Sequence, residues 1–405
     1  MTDAPRVAFV QDGARLHYAF PLALQRHGLL ERVYTPWYAA PGSATAFAAR
    51  LAAQLGPAAA RRAADRFHPD LDARLVVTCP TLLLRQRLFR RRFANPEAFY
   101  RHCADLECRW ILGQGWGRAT VLGGFVRNLA PDLCRAARAN GLRVVADQMI
   151  APAEVERREA EEQQRRFPDW EPPGAYAGVE DIETATWAAC DRLTCASEYV
   201  RDGLLAAGLP ADRVVLNPYP VSTGGYRFVD RSGRRGRPVV GFTGHVNLRK
   251  GAPYFFRAAA ALAGRARFVM VGPVTLAGAA VARHAGAVEV AGPVPRSEVP
   301  ARLAEFDIFF YPSTCEGSPS SVAEAMLTGL PVVTTPNSGT LVRDGIDGFI
   351  AAYDDTDALA DRLGRLIDDH DLRARMGRAA HDRAAACDLE AFAARLADVV
   401  RGAAG

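Results

Sequence analysis

Two glutamates with seven residues between them, Glu316 and Glu324, mark the stretch of this chain with the most evident chemistry: YPSTCEGSPSSVAEAMLTGLPVVTT, from Tyr311 to Thr335. An apolar run leads into Glu316-Gly317-Ser318-Pro319, and a helix pattern follows until Gly329 stops it. Ser318 is suited to cap that helix and Pro319 to open it. The first free N–H groups, at Ser320, Ser321 and Val322, then form an anion site. Ser320, Ser321, Glu324 and Thr328 share one face by helical spacing. Two carboxylates bracketing such a helix start can take sugar hydroxyls on either side of a diphosphate.

A second segment, Gly244-His245-Val246-Asn247-Leu248-Arg249-Lys250-Gly251, follows another apolar run and places cations before a helix. Of 50 basic residues, Lys250 is the one lysine. A compact ammonium differs from a planar guanidinium in reach and geometry, so a lysine kept among arginines marks a position that needs it. Opposing charge on a leaving diphosphate is a fitting task. As a cleft residue, Lys250 is expected to contribute little to folding.

Other chemistry-bearing groups read as structural. The eight cysteines are irregularly spaced, and His102, Cys103 and Cys108 have no second ligand cluster beside them, so no metal site is expected. Asp355-Thr356-Asp357 precedes a helix, where Thr356 or Asp357 serves as cap. Asp368 to Asp371 reads as a solvated helix end. Glu154–Arg166 is expected to face solvent, with Pro168 to Pro173 as a loop. Arg85, Arg87, Arg90, Arg91 and Arg92 interleave with leucines and phenylalanines. That segment fits a helix with one buried and one solvated face, or a peripheral contact with an anionic membrane or a lipid-linked substrate.

The elements that must position these groups alternate. Val7–Val10 is a buried strand ending in Gln11-Asp12-Gly13, with a helix after it, the opening of a doubly wound unit. Leu142–Ala146 and Leu193–Cys195 read as further strands. Helices cover 131–140 and Asp181–Ala189, and Ser197 caps another. Residues 217–237 hold no period and read as a linker. A fresh cycle follows, with strands at Val239–Thr243, Ala266–Val271, Val288–Val290, Ile308–Tyr311 and Pro331–Thr334. Helices lie between them at Ala252–Ala263, 275–284, 297–304 and 319–328.

The expected fold is α/β: two Rossmann-like doubly wound domains facing across a cleft, with a C-terminal helix. The domains are 1–220 and 237–384, joined by 221–236. The last helix, 385–405, packs back on the first domain. A chain of 405 residues exceeds what one core usually supports. Net charge of +5 does not argue for nucleic acid. No apolar run is long enough to span a bilayer, and MTDAPRVAFV lacks the order of a signal peptide, so a cytoplasmic protein is expected, with the inner membrane face as a peripheral site.

The order and spacing of these stretches resemble family 4 of the retaining glycosyltransferases. Glu316-x7-Glu324 resembles its Glu-x7-Glu signature, and GHVNLRKG its Gly-Arg-x4-Lys-Gly segment. GPVPRSEVPARLAEFDIFFYPS and NSGTLVRDGIDGFI resemble the flanking parts. In the first half the likeness is looser, through the helix 181–190, CDRLTCASEYV and the Gly13 turn. The resemblance implies the GT-B fold, a nucleotide-diphosphate sugar donor, retention at the anomeric carbon and no metal or other cofactor. By position, Glu316 would contact the donor sugar and Glu324 the ribose. Lys250, with Arg249, would bind the diphosphate, and Gly244 and Gly317 lie in the same loops. Gly272 and the Pro293-Val294 backbone would lie near the base, and Gly13 would admit the first-domain loop to the phosphates. Lys250 and Glu316 are the expected catalytic residues.

Two positions depart from the family. His245 stands where the family has a phosphate-binding arginine. The strand Val144-Val145-Ala146 ends in Asp147-Gln148, where a histidine is usual. These departures keep two other readings open: a nucleotide-sugar 2-epimerase of the same fold, and a sugar-nucleotide-binding protein with a degenerate site. The sequence names no sugar, base or acceptor.

Overall fold

The computed structural model describes residues 4–54, 63, 66–89, 92–93, 96–172, 179–222 and 224–405. The first sheet contains β1 (Val7–Val10), β2 (Leu30–Thr35), β3 (Val76–Thr78), β4 (Val121–Phe125), β5 (Arg143–Gln148), β6 (Arg192–Cys195) and β7 (Val214–Leu216). Their spatial order is β3-β2-β1-β4-β5-β6-β7. The second contains β8 (Val239–Thr243), β9 (Arg267–Val271), β10 (Glu289–Gly292), β11 (Ile308–Tyr311), β12 (Val332–Thr334) and β13 (Gly348–Ile350), in the order β10-β9-β8-β11-β12-β13. All of these pairings are parallel, for example Val7 opposite Val121 and Phe309 opposite Val332. Both sheets reverse order beside their first strand, which opens a crevice at the carboxyl ends of the strands. The two α/β halves are the fold expected from the sequence.

Several strands escape the sequence reading. β4 carries two glycines, which lower strand propensity. They are there for packing: a Cβ on Gly123 would lie 2.8 Å from the Phe9 ring. Gly241 in β8 makes the same accommodation, since a Cβ there would overlap the Phe306 ring at 2.0 Å.

The final helix, Leu389–Ala404, buries Phe392, Leu396 and Val400 in the core of the first sheet. Phe392 meets Phe20 of the opening helix, Ala19–Arg26, edge-on at 5.0 Å. The stretch between the sheets is anchored instead of loose. Arg231 is buried and donates to the carbonyls of Phe306 and Thr328, both at 2.6 Å, and of Leu303 at 3.1 Å. It thereby satisfies backbone acceptors at two helix ends of the second half, which would otherwise be orphaned.

The segment Glu154–Arg166 corrects an expectation. It forms the helix Ala153–Arg166 and, with the turn after it, straps the first half to the second. Gln163 is buried and accepts a hydrogen bond from the Tyr254 hydroxyl at 2.8 Å. Phe167 joins the second half's core, with its ring 5.7 Å from Tyr254. The Glu171 carboxylate accepts from Leu248 N–H at 3.0 Å and from the Thr275 hydroxyl at 2.8 Å. On the other side, Arg127 ties Glu156 at 2.9 Å to the buried Glu183 at 2.7 Å. Charges along a helix read as a solvated face until a second domain supplies partners for them.

Among the described residues no helix is long and apolar enough to cross a membrane. Arg85, Leu88 and Arg92 are exposed, and Arg90 and Arg91 lie outside the described residues, as does the side chain of Arg87.

Candidate active site

The site begins where β8 ends. Gly251 has φ +77°, and a Cβ there would sit 1.8 Å from the Pro312 carbonyl oxygen, so only glycine lets this turn pack against the loop after β11. The Asn247 carboxamide accepts from Lys250 N–H at 2.9 Å and fixes the same turn. Ser313 and Thr314 donate to the Arg249 carbonyl, the Ser313 hydroxyl at 2.9 Å and the Thr314 N–H at 2.9 Å. The two cationic residues are therefore delivered as a pair.

Their side chains converge on Glu316. Lys250 Nζ and Arg249 Nη1 both contact Glu316 Oε1, and Lys250 also donates to the Tyr311 hydroxyl at 2.6 Å. Glu316 is 8% exposed and the Lys250 side chain 14%. Two cations on one carboxylate leave the cluster with a net positive charge. Burial pushes the Lys250 ammonium below its ordinary pKa, against the pull of Glu316. Lys250 is thus more deeply set than a cleft-surface residue.

The Glu-x7-Glu helix runs Ser320–Leu327. Ser318 does not cap it. The cap position is Pro319, in extended backbone, whose side chain offers no acceptor. No hydrogen bond satisfies the N–H of Ser320 or Ser321 among the described residues, whereas Val322 N–H bonds back to the Pro319 carbonyl. Two donors therefore stay open at the positive end of a helix dipole, a stronger anion site than a capped start. Thr328 turns inward and donates to the Ala325 carbonyl at 2.7 Å instead of adding to a polar face. Glu324 is 7% exposed and paired with Arg296 at 3.0 Å. Burial raises its pKa, opposed by Arg296 and Tyr226.

A cavity of about 340 Å³ opens between the two halves. Ser318, Ser320, Glu324 and Arg296 line it from the second half. Leu16 and His17 line it from the turn after β1, and Tyr219 to Ser222 close one side. Gly317 brings the halves together. A Cβ on it would lie 1.7 Å from the Met149 carbonyl oxygen, just past β5. Gly272, at φ +148°, abuts the Gly244 carbonyl in the same way, which packs the loops after β8 and β9. Pro293 is exposed and Val294 partly buried after β10. Gly13 is buried at φ +73°, with the Arg66 guanidinium 3.6 Å from where a Cβ would stand, and is not among the residues lining the cavity.

Both departures from the family pattern are visible. His245 is exposed beside the Gly244 turn. Asp147 is buried under β6, where it accepts from the Thr194 hydroxyl at 2.7 Å and from the Tyr219 hydroxyl. Burial raises its pKa to about 7. Gln148 is likewise buried, held between Glu183 and Trp187. Sequence reasoning missed His17, Arg296, Tyr311 and Glu171. A lone histidine after a glycine turn carries no period, and the other three act through partners distant in sequence.

The acidic decoys resolve as caps. Asp355, one residue before the expected positions, accepts from Ala358 N–H at 2.9 Å. Asp369 is a cap rather than a solvated end, accepting from Leu372 N–H at 2.8 Å. No group of three or more potential metal ligands occurs among the described residues.

Two facing parallel α/β halves with a central cleft, an anion-ready helix start and a cationic turn define a GT-B protein. Residues 237–369 match the family described as Glycosyl transferases group 1. The D-inositol 3-phosphate glycosyltransferase of Nocardia farcinica is 31% identical over 218 residues, 47% of this chain and 48% of that protein. The alpha-D-kanosaminyltransferase of Streptomyces kanamyceticus is 30% identical over 48% of this chain and 56% of its own length. These matches span about half the length of the relatives. Solved structures agree over the whole fold. Sucrose-phosphate synthase from Thermosynechococcus elongatus gives a TM-score of 0.66 at 14% identity, covering 98% of both chains. Anabaena HepE in complex with UDP-glucose gives 0.61 at 15% identity, covering 97% of this chain and 98% of its own. Residues 237–369 are thus similar to the group 1 glycosyltransferases, and the chain as a whole has the GT-B fold.

Proposed function

We propose that this protein is a retaining, metal-independent hexosyltransferase that moves a sugar from a nucleoside-diphosphate sugar to an acceptor hydroxyl. The observation that carries the reading is the Lys250–Arg249–Glu316 cluster set beside the open N–H groups of Ser320 and Ser321. In the reaction the bond from the anomeric carbon to the β-phosphate oxygen breaks and a bond to the acceptor oxygen forms. The acceptor proton is released, and the nucleoside diphosphate leaves with one more negative charge. Fixed positive groups are worth most where that charge develops. Glu316 holds Lys250 and Arg249 in place before donor arrives and takes a hydroxyl of the donor sugar. Glu324, in the cavity beside Arg296, takes the ribose.

The relatives support this, since both are glycosyltransferases, and the HepE structure holds UDP-glucose. The reading extends to a cytoplasmic enzyme with a peripheral contact to anionic membranes through the exposed Arg85, Leu88 and Arg92 and the arginines around them. Replacing Arg85 and Arg92 with glutamine is expected to lower sedimentation with anionic vesicles at low salt. Wild-type protein that ignores such vesicles removes this part of the reading.

The main test is donor turnover across UDP-, GDP- and ADP-sugars, with and without EDTA. Activity is expected to survive the chelator, and loss that Mn²⁺ or Mg²⁺ restores would refute metal independence. Glu324→Gln is expected to raise the donor KM about tenfold with kcat nearly kept, because a ribose contact is equal in ground and transition states. Glu316→Gln is expected to lower kcat instead. If both variants change KM alone, the roles given to the two glutamates are wrong.

A further inference from the structure

Another cavity, of about 200 Å³, lies at the end of the second sheet away from the cleft. Asp307 and Pro331 line it, and they stand just before β11 and β12, at the amino ends of those strands. Residues 228–232, on the crossing from the first half, form one side. The helix His370–Ala385 forms another, through His370, Arg373, Ala374 and Arg378. That helix leads into the last one, which packs on the first half, and Val221 N–H donates to the Cys387 carbonyl at 2.8 Å. The cavity is therefore built from the two segments that connect the halves.

Its arginines lack counter-ions. Arg231, Arg373 and Arg378 line it beside Asp230 and Asp307, and no ion pair to any of the three occurs among the described residues. Asp307 is spent on Arg234 at 3.1 Å and on Val239 N–H at 2.9 Å, and Asp230 accepts from Ser232 N–H at 2.9 Å. Arg231 is buried on backbone carbonyls alone. Arg373 gives Nη1 to the carbonyls of Leu366 at 2.7 Å and Ile367 at 3.2 Å, and its Nε and Nη2 have no partner among the described residues. Arg378 makes no hydrogen bond among them, and its guanidinium lies 3.6 Å from the centroid of the Phe228 ring. That ring sits where a Cβ on Gly329 would come within 2.6 Å, so the glycine makes room for the stack. A stacked guanidinium keeps its N–H edges free, the geometry in which arginine grips an oxyanion with two parallel bonds. Burial, then Arg234, pull the Arg231 guanidinium down to about 10, and burial lowers Arg373 as well. Cations set into a protein without a counter-ion are costly, and an anion removes that cost.

We propose that this cavity is an anion site separate from the cleft, which binds phosphate, free or as the end of a phosphate monoester, between Arg373 and Arg378. Two guanidinium edges offer more donors than the two oxygens of a carboxylate can take, and a phosphate group matches them. None of the groups assigned above to sugar transfer lines this cavity. The bound anion joins the outgoing crossing to the returning helix and so braces both connections between the halves.

The test is calorimetry on the full chain with inorganic phosphate and with glycerol 3-phosphate, at constant ionic strength in chloride. Saturable binding is expected, and the tighter of the two compounds tells whether free phosphate or a monoester fills the site. Arg378→Gln removes the stacked guanidinium without breaking a hydrogen bond. It is expected to weaken that binding at least tenfold, with the ligand-free Tm within about 4 °C of wild type. Arg378→Lys, which keeps the charge and loses the fork, is expected to recover part of the affinity. The cleft has anion-ready groups of its own, so Lys250→Ala is the control and is expected to bind phosphate as wild type does. Binding lost in Lys250→Ala and kept in Arg378→Gln would place the anion in the cleft and overturn the proposal. Wild-type protein that binds neither compound overturns it too, as does affinity within twofold of wild type in Arg378→Gln.

Discussion

Replacing Lys250 with arginine is expected to slow the chemical step nearly as much as replacing it with alanine. For alanine the expected loss is about 100-fold in single-turnover rate, about 3 kcal/mol of transition-state stabilisation. The ammonium fits between the Tyr311 hydroxyl and Glu316 Oε1, and the side chain is only 14% exposed. Arg249 already occupies the same carboxylate oxygen. A second guanidinium there would be longer, planar and without space for its fork. The composition points the same way, since one lysine survives among 50 basic residues. The fold should notice the change modestly. Alanine leaves Glu316 paired with Arg249 but strips the Tyr311 hydroxyl of a partner, a cost of about 1 kcal/mol. The sequence suggested an even smaller effect because it could not show the depth of the side chain. Single-turnover rates and melting temperatures of both variants decide this. An arginine variant with near wild-type rate would mean that charge alone suffices.

Gly317→Ala is expected to separate the two halves without unfolding either. A Cβ on Gly317 would lie 1.7 Å from the Met149 carbonyl oxygen and 2.8 Å from Ile150 Cα, both backbone atoms of the first half. Gly317 does not have a left-handed φ, so alanine meets no conformational penalty of its own. The clash is between halves, and the cheapest relief is to move them apart. Misplacement by about 1 Å costs about 100-fold where reacting groups must be aligned. A loss of that order in turnover is expected, with the Tm lowered little because the Ala153–Arg166 strap remains. Nucleotide affinity should fall far less than turnover, since the second half keeps its own contacts. Small-angle scattering should show a larger radius of gyration. Turnover within fivefold of wild type, with unchanged scattering, would show that the contact at Gly317 is not required.

Much of the second half was legible because its functional parts are contiguous. The Gly244–Gly251 turn and the Glu316–Glu324 loop each join a buried strand to a helix. Their glycines, prolines and polar residues fall where strand-to-helix geometry demands them. The buried strands β8, β9 and β11 read as unbroken apolar runs, since helices cover both faces of a parallel sheet. The expectation that Glu316, Lys250 and Arg249 share one place came from those local rules and the family likeness.

Only the tertiary structure decided the rest. The capping reading of Ser318 failed because the extended backbone at Pro319 makes that residue, and not Ser318, the one from which the helix begins. The charged run Glu154–Arg166 looked solvated because its partners, Tyr254 and Tyr353, are about 90 and 190 residues away. Asp147 ends a strand as the sequence suggested, yet it is sealed by Thr194 and Tyr219. β4 was hidden by two glycines, of which Gly123 makes room for the ring of Phe9 and Gly124 for Leu129. His17 gave no signal, because a left-handed turn without glycine is set by Gln11 and Tyr18 in the core around it. Short-range sterics and hydrogen bonds fix the strands, turns and helix starts, so the sequence displays them. Which surfaces meet depends on packing between distant segments, and that is settled only when the chain closes on itself.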